Sequence, residues 1–574
     1  MAMRNVDIAD LFETVADVLE IEGENPFRIR AYRNAARVLR SYGAEVADMI
    51  ARGKDLKKIP WVGADLAARI EELVKTGKSP LLAKIQKGVP SVALELLKLR
   101  GIGPKKAKVL WTGLHLHNLG DLERACAEHR VRTLPGFSEK SEDAIHAALA
   151  KAKGTPERFS IATAVSYADA ILAYLKDAPG VLDVIVAGSF RRGRETVGDL
   201  DLLATATDQK TVIDHFRAYD EFKEVSAAGT TRATAILRCG LQVDLRVMPE
   251  ESYGAALYYF TGSKAHNIAV RRIAQKRGLK ISEYGVFRGK TQIAGRTETS
   301  VFAAVGLPYI PPELREDRGE IEAAQTGALP TLIELSDLRG DLHVHSSYTD
   351  GQNTIREMAD AARAFGLSYI AITDHSPRLR MVHGLDPKCL HQQIDEIDRL
   401  NDDKIGITLL RGIEVDILED GSLDLPDDVL GRLDLVIGAV HSKFDLPRAK
   451  QTERILRAMD HPHFTILAHP TGRLISSRPP YDVDMTRIIR AAAARKCALE
   501  LNANPDRLDL FDTYCREAKA EGVLISINSD GHRTDAFGDL RFGILQARRG
   551  WLEKSDVLNA RPLAKLRPLL RRTM

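Results

Sequence analysis

Nine side chains of metal-ligating type are spread through the C-terminal part of this sequence: His343, His345, Asp350, His375, Glu414, His441, His469, Asp530 and His532. His343 and His345 flank one residue at the end of a strand-like run, so a period of two turns both imidazoles the same way. His375, Glu414, His441 and His469 close the next four runs, Asp350 follows in a loop, and Asp530 with His532 closes the last. One histidine beside a strand is ordinarily a core or surface residue. Nine ligand types at the C-terminal ends of successive strands describe a metal centre, because that end is the reactive face of a parallel β/α barrel. Mixed imidazole and carboxylate donors suit manganese, zinc or iron, and the lack of sulfur ligands argues against a closed structural zinc site.

A second acidic constellation lies earlier. Asp199 and Asp201 are separated only by Leu200, so a strand presents both carboxylates on one face with Leu200 and Leu202 buried opposite. Asp244 sits in the alternating run Leu241–Arg246, where a third carboxylate comes alongside. Three acids this close repel one another unless cations sit between them. Two ions there would activate an attacking hydroxyl and stabilise the leaving oxygen of a phosphoryl transfer. The preceding turn, Gly188-Ser189-Phe190-Arg191-Arg192-Gly193, supplies amides, a hydroxyl and guanidinium donors suited to a triphosphate.

The elements that must position these residues change character along the chain. The first 50 residues read as helices with apolar spacing at Ile8, Leu11, Phe12, Val15, Val18 and Leu19. Residues 51–108 carry 14 basic against 5 acidic side chains. Turns at Pro60–Gly63, Gly101–Pro104 and Leu134–Gly136-Phe137 each join two short helical patterns, the third being the weakest. In the second, Gly101 and Gly103 leave backbone amides open to phosphate at the start of a helix, with Lys105, Lys106 and Lys108 beside them. Such contacts hold a nucleic-acid backbone without reading its sequence. From Val181 onward VLDVIVAGS, DLDLLAT, TAILRC and LQVDLRV are strand-like. After a proline-rich, acidic stretch come seven strand candidates spaced for intervening helices.

Composition bounds the answer. A chain of 574 residues with 44% hydrophobic and 28% charged residues is an ordinary globular protein of roughly three or four domains. Residues 1–300 hold 46 Lys+Arg against 37 Asp+Glu, and the remainder 36 against 42, so the net +3 conceals a basic front and an acidic back. No apolar run approaches a membrane span, and the N-terminus lacks the pattern of a signal peptide. Five scattered cysteines without a CxxC pair fit a reduced, cytoplasmic compartment.

The stretch AGSFRRGRETVGDLDLL resembles the nucleotidyltransferase palm of the family X (polymerase beta-like) DNA polymerases, and the turn around Gly101 resembles a helix-hairpin-helix. Tyr259-Phe260-Thr261-Gly262-Ser263 is similar to the family's sugar-reading turn. The resemblance implies that Asp199, Asp201 and Asp244 are catalytic and bind two Mg²⁺ or Mn²⁺ ions. It implies that Gly188, Ser189, Arg192, Tyr259, Phe260, Gly262, Asn267 and Arg271 contact the nucleotide. Motifs HVH, TDH, GIEVD, VHS, AHP and SDGH resemble the PHP (polymerase and histidinol phosphatase) domain, a distorted seven-stranded β/α barrel with a three-metal phosphoesterase site. It implies one ion on His343, His345, Glu414 and Asp530, a second shared by Glu414 with His441 and His469, and a third on Asp350, His375 and His532, the ions being Mn²⁺, Zn²⁺ or Fe. Arg473 and Lys443 are expected near substrate phosphate.

The implied architecture is multidomain. It comprises an all-α N-terminal domain (1–85), a helix-hairpin-helix domain (86–150), an α+β palm (151–250), a thumb (251–315), a linker (316–335) and the α/β PHP barrel (336–574). Expected partners are gapped or primer-template DNA and dNTPs, with no membrane and a monomeric bacterial protein in the cytoplasm. The implied function is short-gap DNA synthesis in repair, with 3′→5′ exonuclease or 3′-end processing by the barrel. Two other readings stay open: a polymerase with a silent barrel, and a small-molecule phosphatase fused to a DNA-binding module. The sequence departs from the family at Arg69 and Asp65, where the 5′-deoxyribose-phosphate lyase has lysines. An arginine does not form an imine as an amine does, so no such lyase is expected unless Lys75 or Lys78 substitutes. Gln242 replaces a frequent arginine beside the third acid, and Lys264 replaces an acid near the base.

Overall fold

The computed structural model describes residues 5–41, 46–51, 53–59, 61–76, 89–97, 99, 102–154 and 158–570, which form two compact units, residues 1–156 and 157–574. The first unit is helical. Helices Asn5–Glu22 and Pro26–Ser41 pack Ile8, Phe12, Val15 and Leu19 against Tyr32, Ala35 and Leu39, and the helix Ala64–Thr76 adds Leu66, Ile70 and Leu73 to that core. A second core gathers Leu96, Leu110, Leu114, Leu122, Ile145 and Leu149 from four further helices and Val131 from a short turn between the last two.

The second unit opens with a five-stranded mixed sheet. Its strand order is Val181–Val186, Asp199–Ala206, Gln242–Met248, Arg232–Leu237 and Phe222–Ala228. The last of these has no counterpart among the expected strands, because Phe222–Ala228 mixes charged and small residues and shows little apolar alternation. Asp199–Ala206 and Gln242–Met248 run parallel, and this single parallel pairing sets Asp201 directly opposite Asp244. Helices Glu250–Thr261, Lys264–Lys276 and Glu298–Ala304, with a small three-stranded sheet, build the adjoining thumb core around Tyr258, Val270 and Phe302.

The stretch read from prolines and acids as a linker is packed. It contains the helix Glu320–Thr326, whose Ile321 and Ala324 join the thumb core, and Glu320 is buried against His266 with 2.7 Å between the carboxylate and Nδ1. The acids around it are paired with arginines of low exposure: Glu313 with Arg548, and Glu316 with Arg192 and Arg549.

The barrel follows. Strands Gly340–Val344, Tyr369–Ile372, Thr408–Arg411, Ile437–Ala439, Ile466–Leu467, Ala498–Asn502 and Ile525–Asn528 are all parallel. The third run breaks: Thr408–Arg411 pairs back to Tyr369–Ile372, whereas its continuation Glu414–Asp416 pairs forward to Ile437–Ala439. Gly412 lies at the break, where a Cβ would come within 2.7 Å of Thr373 Cγ2 and 2.9 Å of the Ile372 carbonyl oxygen. Backbone bridges from His375 to Glu414 and from Val344 to Gly531 complete the ring. Alternation sends Ile370, Ile372, Leu499 and Leu501 to the helix layer and Tyr369, Ala371, Ile437 and Ala439 inward. The C-terminal helix Leu563–Leu570 closes the bottom with Leu566 and Leu570.

Palm and barrel share a core. Leu508 and Phe542 of the barrel are buried in the cluster built from Leu200, Leu202, Val243 and Leu245, with Leu545 and Ile475 packed alongside. Arg473 belongs to this joint rather than to the substrate. It is buried, donates to the carbonyls of Arg507 and Leu508, stacks on Phe511 and pairs with Glu195 of the palm at 2.7 Å. Truncating Phe542 to alanine is expected to cost about 3–5 kcal/mol, measured by denaturant unfolding. A loss below about 1 kcal/mol would contradict a shared palm–barrel core.

Candidate functional site

The palm acids are brought together as their spacing requires. Ligand atoms of Asp199, Asp201 and Asp244 all lie within 4.8 Å of one another. Leu200, Leu202, Val243 and Leu245 fill the opposite face, which holds the two strands flat against the palm core. Thr234 and Gln242 donate hydrogen bonds to the two oxygens of Asp244, so Gln242 holds the third acid in place where an arginine was expected. Burial and the charges of Asp199 and Asp244 push the Asp201 carboxyl up to about 7. Asp199 is raised by burial and by Asp244. Two acids held up in this way beside a third carboxylate make a donor set that a divalent cation satisfies.

The turn expected to hold a triphosphate lies against these acids. Gly188 has φ +60°, and a Cβ there would come within 2.3 Å of Asp201 Oδ2, so only glycine lets the turn approach. Ser189 follows in the short helix Gly188–Arg191. Arg192 donates to Glu316 and to the Thr261 carbonyl, and a Cβ on Gly262 would meet Arg192 Nη1 at 3.2 Å. Arg191, not singled out from sequence, makes a two-pronged pair with Glu298, which Arg315 also contacts. Asn267 donates to the Tyr259 carbonyl, Arg271 lies 5.4 Å from the centre of the Tyr259 ring, and Phe260 is covered by Arg246 at 4.4 Å. Gly188 thus meets Asp201, Arg192 meets Thr261 and Gly262, and Asn267 and Arg271 gather at Tyr259.

In the barrel, Glu414 is 1% exposed and is faced by five imidazoles. Its Oε2 lies 3.5 Å from His343 Nε2, 3.6 Å from His345 Nε2 and 2.9 Å from His375 Nδ1. Its Oε1 lies 3.2 Å from His441 Nε2 and 2.9 Å from His469 Nε2. Asp350 sits 3.4 Å from His375 and 3.3 Å from His532, and Asp530 3.3 Å from His345 and 3.6 Å from His343. Three groups have ligand atoms within 4.8 Å: His345, Asp350, His375 and His532; His343, His345 and Asp530; His375, Glu414 and His441. His345 and His375 thus each stand in two groups, where the resemblance placed each on one ion. Burial and neighbouring imidazoles push His345 down to about 3, so it stands as a neutral donor.

The donor set fits metal. Buried His343 Nε2, both nitrogens of His345, His375 Nδ1, His441 Nδ1 and His469 Nδ1 make no hydrogen bond, although several face carboxylate oxygens closely. A neutral imidazole presents a lone pair on one ring nitrogen, and leaving that acceptor without a partner in a dry interior costs about 1–3 kcal/mol. Cations between these nitrogens and the carboxylates remove that cost.

Sequence reading missed the residues that hold the ligands. Glu500 is fully buried and contacts His343 Nδ1 at 2.7 Å and the His469 amide at 2.7 Å. Asn502 donates to Asp530, and Asp416 lies 3.3 Å from His441 Nδ1. The signal lay in ALELN, where Glu500 and Asn502 alternate with Leu499 and Leu501 on a strand buried on both faces.

In the N-terminal unit Gly101 falls outside the described residues. Gly103 has ordinary extended geometry at the N-cap of the helix Pro104–Leu114, and nothing lies within 4 Å of where its Cβ would be. Its role there is openness rather than conformational freedom. Lys105, Lys106 and Lys108 are exposed beside it, with Lys106 over Phe137. The third hairpin contributes packing, since Leu134 and Phe137 pack against the core of the second. Trp61 in the first hairpin is exposed with φ +64°, a conformation suited to glycine. Arg69 is held by Asp65 at 2.9 Å, Lys75 lies 3.5 Å from Glu71, and Lys78 is outside the described residues.

Two outcomes are expected. Glu500→Gln weakens metal retention by the barrel about 10–100-fold, read as metal content after dialysis against chelator; unchanged content would contradict its holding role. Asp201 keeps its proton up to about 7 when folded but releases it near 3.8 when unfolded. Cation-free stability therefore falls as pH rises between those values. A divalent cation replaces the proton, so the Tm increase it causes is larger at about pH 8 than at about pH 6, and this difference disappears in Asp201→Asn.

Comparison with known families accords with this geometry. Family models match at the DNA polymerase beta palm (163–253) and thumb (256–316), a helix-hairpin-helix domain (3–79), a SAM-like helix-hairpin-helix tandem (93–151) and the PHP domain (341–529). The chain is 40% identical to the DNA polymerase/3′-5′ exonuclease PolX of Bacillus subtilis (strain 168) over 577 aligned residues, 99% of this chain and 100% of that protein. It is 26% identical to DNA polymerase lambda of Rattus norvegicus, across 54% of this chain and 56% of that protein. A probable phosphatase of Acetivibrio thermocellus is 28% identical across 33% of this chain and 78% of its own length. The chain belongs to the family X DNA polymerases that carry a C-terminal PHP domain.

Proposed function

We propose that this protein is a DNA-directed DNA polymerase that fills short gaps in DNA repair, and that its barrel is a metal-dependent 3′→5′ exonuclease. The observation that carries the polymerase reading is the parallel register of Asp201 with Asp244 under the Gly188 turn. Asp199, Asp201 and Asp244 would hold two Mg²⁺ or Mn²⁺ ions, which when bound lower the pKa of a primer 3′-hydroxyl and neutralise the leaving phosphate. Ser189, Arg192 and the amides of the turn hold triphosphate oxygens. Tyr259 crowds a 2′-hydroxyl and so favours dNTPs, while Asn267 and Arg271 line the position of the new base pair. Lys105, Lys106 and Lys108 hold the DNA backbone at the open start of their helix.

The nine barrel ligands would hold up to three ions, Mn²⁺, Zn²⁺ or Fe, which when bound supply a nucleophile from water and neutralise charge on phosphorus. Glu500, Asn502 and Asp416 orient the imidazoles and Asp530. The complete ligand set favours an active barrel over a silent one. Among the described residues no helix is long and apolar enough to cross a membrane, and we read the protein as a cytoplasmic monomer. Arg69 in its ion pair with Asp65 offers no amine for an imine, so no lyase of the polymerase beta type is proposed.

On a gapped duplex, Asp199→Ala is expected to abolish nucleotide addition while sparing 3′ degradation, and His343→Ala the reverse. Retention of both activities in either variant would overturn the assignment. Borohydride reduction in the presence of a 5′-deoxyribose-phosphate end is expected to trap no covalent adduct. A trapped adduct would point to another lysine.

A further inference from the structure

The polymerase's triphosphate turn is braced by a residue of the hydrolytic barrel. Arg192 donates from Nε to Glu316 Oε1 at 3.1 Å and from Nη1 to the Thr261 carbonyl at 2.5 Å. Among the described residues its Nη2 donors have no hydrogen-bond partner, and that nitrogen is not among the buried unpaired atoms. Arg549, at the end of the barrel helix Leu540–Arg549, donates from Nη1 both to Glu316 Oε1 at 2.9 Å and to the backbone carbonyl of Arg192 at 2.8 Å. Its Nη2 donates to Asp512 at 2.8 Å, and Asp512 also pairs with Arg318. Arg549 is 2% and Glu316 13% exposed at their side chains, so water screens these contacts little. One turn earlier on the same helix, Leu545 packs against Gly193, where a Cβ would come within 3.3 Å of the leucine Cβ.

We propose that Arg549 and Glu316 are positioning residues of the polymerase reaction, fixing Arg192 at both its backbone and its guanidinium so that its remaining donors meet the incoming triphosphate. This rests on the reading of Arg192 as a triphosphate contact. The physical argument is preorganisation. A free arginine loses rotamer freedom when it clamps a phosphate, whereas one already held by two acceptors loses little. Without Arg549, Glu316 would be faced closely only by Arg192, with the half-exposed Arg194 at 4.0 Å, and would compete with the triphosphate for Arg192. Arg549 supplies a second positive charge to Glu316 and leaves Arg192 shared. The barrel therefore contributes to nucleotide binding as well as to hydrolysis.

The test uses the full-length protein with steady-state dNTP addition on a gapped duplex, with wild type, Arg192→Ala, Arg549→Met, Glu316→Gln and the double variant. Arg549→Met and Glu316→Gln are expected to raise the dNTP KM about tenfold with kcat changed less than about threefold, and the KM for DNA unchanged. Because both act through Arg192, the double variant is expected to be no worse than Arg549→Met alone. A merely structural role would lower kcat, the apparent DNA affinity and the thermal midpoint together. Glu316→Gln preserves side-chain volume, so it reports even if Arg549→Met folds poorly. If Arg192→Ala leaves the dNTP KM unchanged, the underlying reading of Arg192 fails. If Arg192→Ala raises it and Arg549→Met and Glu316→Gln do not, the positioning role fails while that reading stands.

Discussion

A carboxylate removed from water costs several kcal/mol unless cations or hydrogen-bond donors surround it, and the architecture of residues 157–574 turns on how four such groups are satisfied. Glu414 is met by five imidazoles delivered from four strand ends. Asp201 is met by two further acids and by a glycine turn that leaves room for cations. Glu298 is held by Arg191 and Arg315, and Glu316 by Arg192 and Arg549. The first two stand in clusters of metal-ligand type. The last two are satisfied by arginine, which makes them structural supports for the turn between them.

This division explains why palm and barrel behave as one packed body rather than two domains on a tether. Phe542 and Leu508 fill the palm core, Arg473 reaches Glu195, and Arg548 and Arg549 reach the segment joining thumb to barrel. Each of these is an apolar or paired contact at low exposure, so separating the domains would expose apolar surface and strand buried charges together. Arg548 and Arg549 come from one helix, Leu540–Arg549, which follows the Asp530–His532 ligand loop. The same segment of chain therefore ends the metal site and begins the brace on the nucleotide turn.

Much of this was legible in sequence because the signals were local. Two aspartates around one leucine must share a strand face, and ligand-type residues closing most of the apolar runs must face the barrel mouth. The glycine-rich turn with two arginines needed only its own composition to suggest phosphate. The expectations that changed were those whose outcome depended on partners distant in the chain. Prolines and acids between 301 and 335 read as a linker, yet the acids' partners Arg192, His266, Arg548 and Arg549 lie far away along the chain. Arg473 looked free to meet phosphate because it follows a ligand motif, and it is instead consumed by carbonyls, Phe511 and Glu195.

The sequence by itself determined which residues could bind metal, phosphate and DNA, since residue type and a period of two or 3.6 are properties of the chain alone. Tertiary structure decided what each charged group faces, because a buried charge is balanced by whatever the fold places within about 4 Å, however distant in sequence. Glu500 behind His343, Arg549 behind Arg192 and the sharing of His345 between two ligand groups are all of that kind. They arise from the closure of a parallel ring and from one helix crossing to the palm, and neither event leaves a mark in local sequence.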